Sequence, residues 1–172
     1  MTRMEEALAI EGWMNPAELI WLEAQAHTRR IVVEFGAYKG RSTKVLAACA
    51  VRLHTVDWWN GDMEKAVMPD FMANMRAEID SEKLSVHRMT TQDFGDLAQM
   101  EEPADMVFID ASHDYESVKR DIQTARELLG NGGLLCGHDF SDDWPGVQQA
   151  VQELCPNFQR VPGGDIWYEV QQ

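Results

Sequence analysis

"VVEFGAYKGRS", residues 32–42, begins as an apolar strand and breaks into a turn with Gly36 and Gly40, a carboxylate at Glu34 just before it and Ser42 just after. A buried strand that turns on glycine into a helix is the unit from which parallel sheets are wound. The glycines are spaced G-x-x-x-G, not the G-x-G-x-x-G that seats a pyrophosphate on a helix N-terminus, so a dinucleotide cofactor loses its strongest support. Two readings of the stretch stay open. Either Gly36 lets a ligand approach the backbone closely, or this is a plain strand-to-helix turn with Glu34 satisfied by backbone donors.

The same alternation runs outward. After IVVEF (31–35) come RSTKVLAACA (41–50) at helical spacing, the strand RLHTVD (52–57), a helix around 64–80, KLSVHRM (83–89), a short helix near 93–100 and the strand ADMVFID (104–110). A helix across YESVKRDIQTARELLG (115–130), the strand GGLLCGHDF (132–140), a helix near 146–154 and two closing segments, FQRVP and DIWYEV, complete the chain. Continuous apolar strands separated by helices predict a doubly wound α/β domain: a mostly parallel, Rossmann-like, seven-stranded sheet covered on both faces, with an antiparallel C-terminal edge hairpin. No repeat, low-complexity tract or Gly/Ser linker marks a boundary, so residues 1–172 read as one domain. Residues 1–29 read as a helical extension, in which Asn15-Pro16 caps AELIWLEAQA and predicts one amphipathic helix before the first strand.

Composition narrows the function. A formal net charge of −14 repels polyphosphate and anionic lipid, which argues against nucleic-acid and membrane partners and favours a small neutral or cationic ligand. Cys49, Cys136 and Cys155 form no C-x-x-C pair or zinc-finger spacing, so reduced thiols are expected. The start, MTRMEEALAIEGW, lacks an apolar signal core, and no apolar run of about 18 residues occurs, so a cytoplasmic protein is expected.

In wound sheets ligands bind beyond the carboxyl ends of the strands, where strand order reverses. Those ends carry Glu34-Phe35-Gly36, Asp57-Trp58, Thr90-Thr91-Gln92-Asp93, Asp110-Ala111-Ser112-His113 and His138-Asp139. Asp57, about 20 residues beyond the glycines, stands where an acid can accept both hydroxyls of a ribose, or simply cap a helix. Of Trp58 and Trp59, either can stack on a purine or cover the sheet edge. Asp110 and Asp139 supply hard oxygen ligands for a divalent ion such as Mg²⁺, and a nearby histidine could take a proton from a hydroxyl acidified by that ion. The blander possibility is that Asp110 caps a turn and His138 is a satisfied core histidine. Met63, Met68, Met72 and Met75 suit helix packing or a pocket lid, and the mixed charges of HDYESVKRDI suit a solvated helix face.

With Glu34-Phe35-Gly36-Ala37-Tyr38-Lys39-Gly40-Arg41-Ser42, Asp57, Thr91-Gln92-Asp93 and Asp110-x-x-His113-x-Tyr115 in view, the chain resembles the class I S-adenosylmethionine-dependent methyltransferases. Within that class it is similar to the metal-dependent O-methyltransferases of the catechol and macrolide-sugar types, over about residues 30–140. The resemblance implies that Glu34 and the Gly36–Gly40 turn hold the methionine moiety, that Tyr38 and Ser42 flank its carboxylate and sulfonium, and that Asp57 grips the ribose. It places Trp58, Thr91 and Gln92 around the adenine and Asp110 near the cofactor amine. It further implies a divalent cation, Mg²⁺ or another, on Asp110, Asp139 and His138, with His113 as catalytic base. The catechol type has lysine where His113 stands, aspartate where His138 stands and asparagine where Asp139 stands, whereas the sugar type has histidine at the first.

The implied activity is O-methylation of a small hydroxylated acceptor, of sugar or natural-product type. A non-haem iron oxygenase using His113, His138 and a carboxylate is a rival that the α/β alternation fits poorly. A non-catalytic S-adenosylmethionine-binding module is a second rival, suggested by a chain short for the family, as is an acceptor site completed by a homodimer partner.

Overall fold

Successive residues of the first strand, β1 (Ile31–Phe35), point to opposite faces of a sheet that is covered on both sides. Val32 enters a core shared with Leu19, Leu22, Leu46, Phe71 and Met75, while Val33 and Phe35 enter a second with Phe94, Ile122, Ala125 and Val151. The strand β4 (Ala104–Ile109) alternates likewise, Met106 and Phe108 into the first core and Val107 and Ile109 into the second. Burial on both faces is why these strands read as unbroken apolar runs. The computed structural model describes residues 1–60, 62–97 and 102–171, with the side chains of 62–66 excepted.

The remaining strands are β2 (Arg52–Asp57), β3 (Leu84–Arg88), β5 (Leu129–Gly137), β6 (Gln159–Arg160) and β7 (Trp167–Val170). Their order is β3-β2-β1-β4-β5-β7-β6, with β7 antiparallel to both β5 and β6 and the other pairs parallel. The expected doubly wound, seven-stranded sheet with its antiparallel edge is therefore present. Order reverses between β1 and β4, where the chain winds first to one side and then to the other.

The helices are α1 (Arg3–Ala9), α2 (Pro16–His27), α3 (Arg41–Leu46), α4 (Asp62–Asn74), α5 (Arg76–Asp80), α6 (Thr91–Leu97), α7 (Tyr115–Leu128) and α8 (Pro145–Leu154). The N-terminal segment departs from expectation in holding two helices. Thr2 and Glu5 close a capping box ahead of α1, and Asn15 and Glu18 close another ahead of α2. Both helices belong to the core, through Ala7, Leu19, Leu22 and Ala26.

Other boundaries shift as well, among them the strand expected over 132–140, which lies at Leu129–Gly137. The helix expected over 41–50 ends at Leu46, where main-chain bonds tighten to the i−3 pattern at Ala48 and Cys49. The helix expected over 64–80 splits at Met75, because the Asn74 carbonyl is taken by Lys44 Nζ at 3.0 Å. The segment FQRVP contributes only the two-residue β6. Met75 is core and Met72 partly exposed, while the side chain of Met63 and the helix end at 98–100 lie outside the described residues. Cys49, Cys136 and Cys155 are free and buried. Among the described residues, no helix is long and apolar enough to cross a membrane.

Candidate active site

A cleft of about 720 Å³ opens at the carboxyl ends of β1, β2 and β4, the switch point of the sheet. Gly36, Tyr38, Ser42, Asp57, Trp58, Thr91, Gln92, Asp110, His113, His138 and Asp139 all line it. Glu34 and Gly40 do not.

Glu34 instead lies beneath the turn, fully buried. Its carboxyl accepts hydrogen bonds from the hydroxyls of Ser42 (2.6 Å), Thr43 (2.7 Å) and Thr55 (2.8 Å), so its donors are side chains rather than the backbone donors considered from sequence. Burial pushes its pKa up to about 7, against the pull of the three hydroxyls and with added repulsion from Asp110. Gly36 has φ +84°, and a Cβ there would stand 2.1 Å from the Asp110 carbonyl oxygen. The close approach that demands glycine is thus between the ends of β1 and β4, tied also by the Asp110 amide donating to the Phe35 carbonyl at 2.8 Å.

Asp57 holds the turn from the other side. Its Oδ2 accepts from the amides of Ala37 (2.9 Å) and Tyr38 (3.2 Å), and its Oδ1 from that of Trp59 (2.9 Å). These bonds sustain left-handed backbone at Tyr38 (φ 49°) and Trp59 (φ 41°). Trp59 is the tryptophan that covers the sheet, buried against Phe71 with its Nε1 donating to the Tyr38 carbonyl. Trp58 is 55% exposed at the cleft. On the far wall the side chains of Thr91 and Gln92 both donate to Asp121 of α7, which is buried although it falls in the stretch HDYESVKRDI expected to be a solvated helix face.

The ends of β4 and β5 bring two carboxylates and two imidazoles together. His113 Nε2 lies 2.6 Å from Asp139 Oδ2, and its ring stacks on Trp144 with centroids 4.1 Å apart. His138 Nδ1 lies 3.1 Å from Asp139 Oδ1, and its Nε2 lies 3.1 Å from Oε1 of Glu18. Burial opposes a charge on His138, but hydrogen bonds to Asp139 and Glu18 outweigh it and raise the pKa to about 10. His113 is raised above the ordinary histidine value, chiefly by its bond to Asp139. Burial alone would raise Asp139, yet the two imidazoles hold it well below the usual carboxylate range. Asp110 is pushed up to about 6, by burial first.

Both ring nitrogens of His138, expected in the cation set, are engaged by carboxylates, Nδ1 by Asp139 and Nε2 by Glu18. Among the described residues, the group whose ligand atoms lie within 4.8 Å of one another is Asp110, His113 and Asp139. Sequence reasoning also missed Glu18 and the roof of the cleft, formed by Glu11-Gly12-Trp13-Met14 between α1 and α2. Arg41 pins that segment through the carbonyls of Ile10 and Met14, and Tyr38 Oη donates to Glu11 at 3.1 Å. The capping pattern N-P-x-E at 15–18 was the available signal for Glu18, although nothing local foretold its link to His138.

Strand order and cleft together define a class I S-adenosylmethionine-dependent methyltransferase fold. The chain belongs to the methyltransferase-domain family, whose model matches residues 33–140. No curated protein sequence matches it. Among solved structures, it is similar to the O-methyltransferase TomG of Streptomyces achromogenes, involved in tomaymycin synthesis and solved with S-adenosylmethionine. The TM-score is 0.75 at 16% identity, over 100% of this chain and 91% of that one. An O-methyltransferase from Bacillus cereus, solved with S-adenosylhomocysteine, superposes with TM-score 0.71 at 18% identity over 99% and 90% of the two chains. CalS11, a TDP-rhamnose 3′-O-methyltransferase of calicheamicin biosynthesis, gives 0.65 at 15% identity over 97% and 79%. This chain spans most of the length of each.

Proposed function

We propose that the chain transfers a methyl group from S-adenosylmethionine to an oxygen of a small hydroxylated acceptor. The observation that carries this reading is the His113–Asp139 pair at 2.6 Å, standing beside Asp110 on the wall of the switch-point cleft. A base oriented by a carboxylate is what displacement at a sulfonium requires from an enzyme, beyond alignment. The fold shared with cofactor-bound O-methyltransferases supports the choice of cofactor.

In this reading Gly36, Tyr38, Ser42, Asp57, Trp58, Thr91, Gln92 and Asp110 meet the cofactor, while Glu34 and Gly40 shape the turn from beneath. With Nε2–H donating to Asp139, Nδ1 of His113 carries the lone pair. That nitrogen takes the acceptor proton as the hydroxyl oxygen forms its bond to the methyl carbon; the carbon–sulfur bond breaks, and its electron pair stays on sulfur in S-adenosylhomocysteine. Stacking on Trp144 holds the imidazole plane. The carboxylates of Asp110 and Asp139 fit a hard divalent cation such as Mg²⁺, which would lower the pKa of the acceptor hydroxyl; an oxygen-seeking ion leaves the nearby His113 to act as base.

Calorimetry with S-adenosylhomocysteine, followed by methyl transfer to a panel of hydroxylated acceptors, tests the proposal. Cofactor binding that survives His113→Ala while transfer collapses supports it. Failure to bind the cofactor, or undiminished transfer in that variant, overturns it.

A further inference from the structure

A second cavity of about 360 Å³ adjoins the cofactor cleft, and the two share four wall residues: Trp13, Trp144, His138 and Asp139. The candidate base pair therefore stands at the junction, since Asp139, the partner of His113, faces both spaces. Asp57 lines the first cavity and not the second.

The walls of this cavity are one-sided in charge. Glu18, Asp139, Asp143 and Asp165 line it, and no lysine or arginine among the described residues does. Its one cationic group, His138, is already matched by Glu18 and Asp139. Arg160, which does not itself line the cavity, is half-exposed and reaches two residues that do, Asp165 at 3.6 Å and the Gly164 carbonyl at 3.4 Å. Asp143 is exposed at the rim. Trp13 and Trp144 border the cavity, each packed against another ring, Tyr38 at 4.8 Å and His113 at 4.1 Å between centroids, and the exposed lining is mostly polar. Asn15 and Ser141 supply neutral hydrogen-bonding groups suited to hydroxyls.

We infer that this cavity is the acceptor subsite and that it selects a small hydroxylated amine, such as an amino sugar or amino alcohol, over acceptors carried on a phosphate or carboxylate. The inference rests on the methyl-transfer reading. A nucleotide-linked sugar brings two negative charges to a wall with four carboxylates and, among the described residues, no lysine or arginine in its lining, whereas an ammonium is drawn in by the carboxylates. The overall charge of −14 acts in the same direction at long range.

The test uses the full chain saturated with S-adenosylhomocysteine and titrates three probe sets by calorimetry: hydroxylated amines including glucosamine, their N-acetylated counterparts, and nucleotide-diphosphate sugars. N-acetylation removes the charge and leaves the hydroxyls, so it isolates the electrostatic part. Amines that bind, and lose about tenfold in affinity both on N-acetylation and in the Asp143→Asn/Asp165→Asn double variant, support the inference. In the Asp143→Lys/Asp165→Lys variant the preference should move towards the nucleotide sugars. Equal or tighter binding of N-acetylated or nucleotide-linked probes by the unaltered protein overturns the inference, as does failure to bind any amine of the panel. Absence of S-adenosylhomocysteine binding is a different failure, because it removes the methyl-transfer reading itself.

Discussion

Glu18 and His138 meet across 120 residues of chain, Oε1 of the helix α2 acid lying 3.1 Å from Nε2 of the imidazole at the end of β5. Glu18 also accepts the amides of Asn15 (2.8 Å) and Asp165 (2.7 Å), so one buried carboxylate ties the N-terminal helices, the C-terminal hairpin and the site together. Its pKa is lowered because these bonds outweigh the penalty of burial. Glu18→Ala leaves a charged imidazole without one partner and two amides without acceptors, and should cost about 3 kcal/mol in chemical unfolding. Glu18→Gln, which keeps one acceptor oxygen, should lose less; equal losses in the two variants would show that the retained acceptor is immaterial and that the charge carries the whole effect.

The His113–Asp139 pair sets a pH profile. A base must be deprotonated to act, so kcat/KM should rise with pH through a midpoint above the ordinary histidine value, because Asp139 raises His113. In Asp139→Asn that support is gone and the midpoint should fall, along with the rate. His113→Ala should lower kcat by about 100-fold or more while calorimetric affinity for S-adenosylhomocysteine changes little. An unmoved midpoint in Asp139→Asn would detach the profile from this pair.

Glu34 should make stability fall with rising pH. Its folded pKa of about 7 exceeds the reference 4.5, so between those values the folded protein holds a proton that the unfolded chain has released. The contribution is intact below pH 4.5 and lost progressively up to about pH 7, by at most about 3 kcal/mol. Urea unfolding of Glu34→Gln should show a flatter dependence across that window; a slope identical to that of the unaltered protein would mean that Glu34 ionises freely.

Asp57→Asn is the sharpest test of the turn. One amide nitrogen must then face either the Ala37 and Tyr38 amides or the Trp59 amide, donor against donor, where the carboxylate accepts all three. The loss should be about 1–3 kcal/mol of stability. If Asp57 also receives the ribose hydroxyls, affinity for S-adenosylhomocysteine should drop by about tenfold or more. Unchanged affinity in a folded variant would confine Asp57 to holding the backbone.

Most of the architecture is legible along the chain because it follows from local pattern. Val32, Val33 and Phe35 read as strand because both faces are buried, and Asn15-Pro16 reads as a helix start because a cap acts over three residues. The strand-end rule likewise assembled Asp57, Asp110, His113 and Asp139 before any contact was known. Local pattern failed where a distant group intervened, as at Asn74, whose carbonyl Lys44 diverts to split one expected helix into two.

The sequence by itself determined the alternation of strands and helices and the strand ends at which polar side chains gather, because an apolar run and the residue that closes it are adjacent in the chain. Only the tertiary structure decided which way those side chains are engaged. It turned Glu34 away from the cleft onto three hydroxyls, committed both nitrogens of His138 to Glu18 and Asp139, and left His113 beside Asp139 at the boundary of two cavities. Those outcomes depend on partners from separate helices and strands, and a buried charge takes whichever partner the packing brings within hydrogen-bond distance.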